Sequence, residues 1–440
     1  MVPPNQNGWS RIVWFALLVL PIAPEGCPLQ VTPSNSAQYT TVVIPAGGDP
    51  DALAVADINH DGMPDIIAAN ANSGTVTILL GDGKGHFHSA PGSPFPAGHL
   101  PADIGIGDFN GDGNPDLLIP NHQTPYVTLL LGDGRGGFRP APHSPFSTKA
   151  NPHPHGVALG HFCGKDQPLD AMIDSWGSGQ VELLVGDGKG NLGNGPMFAA
   201  GPGSDMPLRS ADFNHDGFAD IVMADTAIGR WNANQISVLL GDGRCGFHAA
   251  PGSPFPGGAV PWTVAVGDLN NDGNSDVVVI PYGPQVHDPR QIAATVLLGN
   301  GRGGFGPMSG SPFPLPACTS PRSVAIGRLT RSGLYDFVVT CMNSARALLF
   351  LGQKNGGYQV SSLDIPTGKS GEVPQERGVT LADLTGRGGD DIIFSNGSAG
   401  TITLLLWKQA KSASPKRPPS PLRQTSTQVR GMVQDTYGGR

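Results

Sequence analysis

The pattern Asp-x-Asn-x-Asp-Gly-x-x-Asp constrains this chain more than any other feature, because it returns at near-constant spacing. It is intact at residues 57–65, 108–116, 212–220 and 268–276. Degenerate copies begin at His161, Arg328 and Asp383 and keep the closing aspartates Asp170, Asp336 and Asp391. The seven starts lie about 54 residues apart, a period that marks stacked copies of one supersecondary unit.

Each unit has the same internal order. In the second, an aliphatic run at 104–107 leads into the Asp-rich loop, then come runs at 116–120 and 126–131 and a Gly-rich turn ending at Phe138. The turn recurs at 79–87, 184–190, 239–247 and 297–305. Short β-branched and aliphatic runs separated by Gly, Asp and Asn are the strand signal, and no window sustains a helical apolar period. Composition agrees: Gly (64) and Pro (43) fill about a quarter of the 440 residues, and Asp outnumbers Glu 31 to 4, which favours turns over helices. Four strands in each of seven repeats predict an all-β chain folded as a seven-bladed β-propeller. The last unit stops at Trp407 without a fourth strand, and the run at 40–45 precedes the first loop without a partner. Pairing the two closes the ring and removes an open edge.

The Asp-rich loop presents oxygen ligands at positions 1, 3, 5 and 9. Glycine at position 6 permits the bend, and the carbonyl of residue 7 adds another oxygen. Hard oxygen donors in this number suit Ca²⁺. Asx-turns between strands are the purely structural alternative. A helix–loop–helix calcium site would need Glu at position 12, where Ala68, Ile119, Met223 and Val279 stand instead. In the degenerate loops Lys165, Arg328 and Arg387 are expected to pair with the surviving aspartates in place of a metal. The sequence thus predicts four structural calcium ions rather than seven.

The loop, together with the Phe that follows the Gly-rich turn, resembles the FG-GAP/VCBS repeat of integrin α-type seven-bladed propellers, over roughly residues 38–407. The resemblance implies calcium loops on one face, between the first and second strands of a blade. Its pattern maps ligands to Asp57, Asn59, Asp61 and Asp65; Asp108, Asn110, Asp112 and Asp116; Asp212, Asn214, Asp216 and Asp220; and Asp268, Asn270, Asp272 and Asp276. Backbone oxygens would come from Met63, Asn114, Phe218 and Asn274. Relatives include adhesion receptors, lectins and non-catalytic parts of enzymes.

Arg11 precedes an uncharged apolar run, Ile12 to Ala23, so residues 1–26 read as a signal peptide and the protein as exported: secreted, periplasmic or on the cell surface. The run is too short to cross a bilayer, and no later stretch is longer. The net charge of −8 argues against nucleic acid as partner. Residues 408–440 form a basic Pro/Ser-rich tail, expected to be disordered, with seven Lys and Arg against Asp435. The five cysteines show no zinc spacing. Cys318 and Cys341 bracket the first two strands of the sixth unit, and a bridge is predicted there, with free buried thiols as the alternative.

The face opposite the loops is built from inter-blade connections and from the turns joining strands two and three. It gathers Trp231, Tyr282, Trp262, Trp176 and His287 as candidate ligand contacts, with Asp288, Arg290, His99, His122, Tyr126, His153 and His155 nearby. Aromatic rings among polar loops suit carbohydrate or an extracellular protein. His153 and His155 have no accompanying nucleophile motif, so no enzyme is predicted. The expected function is a monomeric, calcium-binding binding or adhesion module; the alternative is the propeller of a carbohydrate-degrading lyase or hydrolase.

Overall fold

The computed structural model describes residues 32–33 and 38–408, apart from 150–153, 176, 202–207, 226–233, 287, 319, 331, 343–345, 355 and 367–375. Seven antiparallel sheets follow one another along the chain. The first blade consists of Pro50–Ala56, Asp65–Asn70, Thr75–Gly81 and Phe87–Ser89. The second strands are the reason the blades stack. Asp65–Asn70, Asp220–Asp225, Asp276–Pro281 and Asp391–Asn396 are buried at every residue, so both sheet faces are covered. Side chains alternate between faces, and each second strand therefore contributes to the apolar contacts with both neighbours. Ile67 packs toward the second blade and Ile66 toward the seventh. Seven buried clusters fill the seven junctions between adjacent blades, including that between blades seven and one. At about 1.5–3 kcal/mol per fully buried aliphatic side chain, these junctions supply most of the stabilisation.

The ring closes as the sequence predicts. Tyr39–Pro45 pairs antiparallel with Thr401–Trp407 over seven residues, from Tyr39 opposite Trp407 to Pro45 opposite Thr401. It supplies the outer strand of the seventh blade. Ala46 N donates to Gly400 O at 2.9 Å and Lys408 N to Gln38 O at 2.7 Å, fastening both ends of the pairing.

The outer strand is not uniform. In blades one, two, four and five it is cut to three residues, and a two-residue strand resumes pairing beyond a turn, as at Phe87–Ser89 and Phe95–Pro96. The turn carries Ser-Pro in the cis form at Ser93-Pro94, Ser144-Pro145, Ser253-Pro254 and Ser311-Pro312. Each serine Oγ accepts, at 2.9 Å, a backbone N–H of the third strand, from Ile78, Leu129, Val238 and Val296. Blades three and six have continuous outer strands, Leu192–Ala199 and Tyr358–Asp364. The latter is covered by Thr32–Pro33, which pairs with it in parallel. Broken or covered edges discourage edge-to-edge association.

Candidate functional site

The four intact loops lie between the first and second strands of blades one, two, four and five. The closing aspartate belongs to the blade as much as to the loop. Asp65 is fully buried; its Oδ2 accepts Ile58 N at 2.9 Å and its Oδ1 accepts Gly81 N at 2.8 Å. The same pair of backbone bonds holds Asp116, Asp220 and Asp276. It also holds Asp170, Asp336 and Asp391 in the degenerate blades. This explains why the ninth position survives when the others are lost: it ties the loop to the third strand with or without a cation.

That finding corrects one expectation. The surviving aspartates of blades three and six are held by backbone N–H groups rather than by the fixed cations. Lys165 lies over the Phe218 ring of the next blade, 5.0 Å from its centroid. Arg328 lies over Tyr335 at 4.5 Å. In blade seven Asp391 accepts Leu384 N and Trp407 N, while Arg387 Nη1 donates to Trp407 O at 2.9 Å. The carboxylates are buried behind the loop, where a backbone donor is closer than a long side chain.

Positions 1, 3 and 5 form the exposed part of each loop. Asp57 Oδ1 and Oδ2 accept Asp61 N and Gly62 N at 3.1 and 2.9 Å. Asn59 Oδ1 accepts Asp61 N at 3.1 Å, and Asp61 Oδ1 accepts Met63 N at 2.8 Å. Blades four and five repeat this scaffold around Asp212 and Asp268. In blade two, Asp108 instead takes Gly111 N and Gly113 N, and Asn110 and Asp112 keep their places. Residue 7 lies over a hairpin glycine of its own blade. A Cβ at Gly83, Gly134, Gly243 or Gly301 would collide with Met63, Asn114, Phe218 or Asn274, and all four glycines have φ between +64° and +67°, a region that favours glycine.

Three carboxylates accumulate in each intact loop. Burial pushes the Asp65 and Asp116 carboxyls up to about 6 and those of Asp220 and Asp276 up to about 7; backbone N–H bonds oppose the rise, and the two other carboxylates of each loop add to it. Among the described residues no salt bridge reaches an intact-loop carboxylate, and no three His, Cys, Asp or Glu side chains are gathered as closely as a metal centre requires. The donors nevertheless fit a hard cation. Two carboxylates, an amide oxygen and a carbonyl surround each bend, and a carboxylate has about four acceptor positions, so the backbone bonds do not exhaust it.

Two disulfides reinforce blades whose loops are degenerate. Cys318 is bonded to Cys341, from the connection before the first strand of blade six to the end of its second. Cys163 is bonded to Cys245, joining blades three and four, a pairing that the sequence reading did not anticipate. Cys163 stands at loop position 3, and Cys245 replaces a glycine of the Gly-rich turn found as Gly136, Gly190 and Gly303 in other blades.

On the opposite face, the rings of Trp262 and Tyr282 stack at 4.3 Å with 25° between planes, and the Arg322 guanidinium lies 4.9 Å from the Trp262 centroid. The His122 and His155 rings lie 4.4 Å apart. Arg209 of blade four reaches Asp103 of blade two at 3.3 Å, both largely buried. His99 N donates to the Tyr126 hydroxyl at 3.2 Å, and Arg290 pairs with Asp288 at 2.7 Å. Trp176, Trp231, His153 and His287 lie outside the described residues, as do the signal segment and residues 409–440 of the tail.

The FG-GAP-like repeat family matches residues 57–119 and 212–279, each running from the start of one intact loop to just past the next. The chain is an FG-GAP repeat β-propeller. Solved structures show the same architecture at low identity. One, described as BBS1N in complex with ARL6DN and soaked with mercury, is 12% identical with a TM-score of 0.56, over 84% of this chain and 97% of that one. A protein from Lactobacillus plantarum is 14% identical with a TM-score of 0.52, over 72% of this chain and 86% of that one. No curated protein matches the FG-GAP propeller. No helix among its described residues is long and apolar enough to cross a membrane.

Proposed function

We propose that this FG-GAP propeller is an exported binding module, stabilised by calcium in four of its seven inter-strand loops and using the opposite face to hold a carbohydrate or an extracellular protein. The observation that carries this reading is the fourfold repetition of one loop. In blades one, two, four and five, carboxylates at positions 1 and 5 and an asparagine oxygen at position 3 curl around a glycine bend, and among the described residues no salt bridge reaches them. Like charges so close together repel, and a divalent cation bound by hard oxygens turns that repulsion into a staple between strands.

Export is supported by the apolar leader and by the two disulfides, which persist in oxidising compartments. For the ligand face, Trp262 is already engaged by Tyr282 and Arg322. It therefore offers a rigid composite of two rings and a cation rather than a bare indole platform. Such a surface fits the polar-aromatic patch of a protein or the hydroxyl edges of a sugar. A propeller of this architecture is described with a protein partner, ARL6DN, which is consistent with a protein as ligand here. A glycan array probed with residues 38–407 tests the reading. Calcium-dependent binding that is lost in Trp262→Ala makes the ligand a carbohydrate, whereas silence with and without calcium directs the search to proteins of the cell envelope.

A further inference from the structure

The residue at loop position 4 is not a metal donor in the family's pattern, yet in each intact loop it takes the left-handed conformation. Its φ is 59° at His60, 76° at Gly111, 61° at His215 and 58° at Asn271. The side chain is thereby thrown outward, toward the next blade. His60 Nε2 donates to Asn114 Oδ1 at 3.2 Å, and His215 Nε2 donates to Asn274 Oδ1 at 2.8 Å. Both acceptors stand at position 7 of the following loop, the residue whose backbone carbonyl the family's pattern assigns to the metal. Each is clamped on its other sides as well. Asn114 N donates to Asp112 Oδ1 and Asn274 N to Asp272 Oδ1, both at 2.8 Å, and the side chains lie on Gly134 and Gly301.

Among the described residues the latch occurs only where two intact loops adjoin. From blade two, Gly111 has no side chain to extend toward blade three; from blade five, Asn271 Nδ2 donates at 3.3 Å to Gly333 O of blade six, whose loop lacks the ligand set. The histidines therefore divide the four intact loops into two linked pairs, blades one with two and four with five.

We propose that His60 and His215 are positioning residues that couple calcium binding within each pair of loops. The inference rests on the calcium reading above. Filling the first loop of a pair fixes positions 3 and 5 on either side of the histidine, which holds position 7 of the second loop with its carbonyl in place. By reciprocity the second ion favours the first to the same extent. The coupling is the worth of one neutral hydrogen bond, roughly fivefold in affinity.

Calorimetric titration of the calcium-free chain with CaCl₂ tests this, comparing wild type with His60→Asn/His215→Asn. Asparagine keeps the left-handed turn, as Asn271 does, but is too short for the latch. The expected wild-type isotherm saturates at four ions with a Hill coefficient between one and two. The expected variant still binds four ions, with a Hill coefficient of one and a mean affinity roughly twofold weaker, the square root of the fivefold coupling shared by the two ions of a pair. His60→Gly/His215→Gly, the residue that Gly111 already places at this position, removes the latch in a second way and should give the same isotherm, which covers an asparagine variant that fails to fold. Four ions with an isotherm unchanged by either variant overturns the latch alone. A wild type that takes up no calcium overturns the calcium reading and the inference with it.

Discussion

Cys163 and Cys245 are joined across two blades at a point where the other repeats use only a backbone bond. Cys245 N donates to Phe162 O at 3.1 Å, and the equivalent Gly190 N and Gly303 N donate to Phe109 O and Phe213 O at 3.0 and 2.9 Å. The third loop has His161 and Lys165 where the intact loops carry carboxylates, and a covalent bond ties blade three to blade four there. The bridge spans 82 residues of sequence, and closing a loop of that length is worth about 4 kcal/mol through the unfolded chain. Cys163→Ala should lower the unfolding free energy by about that amount in non-reducing denaturant titrations, and reductant should lower wild type but not the variant by this share.

The closing strand should be indispensable to the monomer. A chain beginning at Ala46 loses the seven-residue pairing on Thr401–Trp407 and the packing of the Tyr39 ring on Trp407 at 5.2 Å. It exposes an apolar edge, and light scattering should show association where the full chain is monodisperse.

The serine of each edge turn carries a definite share of stability. Ser253→Ala leaves the part-buried Val238 N without its acceptor, a loss of about 1–3 kcal/mol. Thermal melts of Ser253→Ala and Ser144→Ala should fall together, since both serines make the same bond.

A pH dependence follows from Asp391. Burial, with Asp383 nearby adding to it, pushes its carboxyl up to about 7, against the backbone N–H of Trp407. A folded-state value above the unfolded one means a contribution to stability that is complete below about pH 4 and lost as pH rises through 7. In EDTA the stability gap between wild type and Asp391→Asn should therefore narrow from pH 4 to pH 8. A gap that widens contradicts the assignment.

Much of the fold was legible because it repeats. Seven spaced aspartates set the blade count, and the unpaired runs at 40–45 and 401–407 revealed the closure. The backbone role of the ninth aspartate was hidden, since the same residue type suits a metal and a pair of backbone donors alike, and only burial separates the two. The interruption of the outer strands was not legible, because it depends on a serine reaching back fifteen residues to the third strand, a contact with no local signature. The Cys163–Cys245 bridge was likewise invisible, because it joins positions that become neighbours only when blades three and four stack. Lys165 and Arg328 were assigned to aspartates by charge alone, whereas aromatic rings lay closer.

Calcium stoichiometry tests the central claim most directly. Equilibrium dialysis of the chelated and refilled chain, read by atomic absorption and followed by melts with and without EDTA, should find four ions per chain and a melting temperature that falls on chelation. Saturation above five ions, or a melting temperature unmoved by EDTA on metal-loaded protein, would contradict the account.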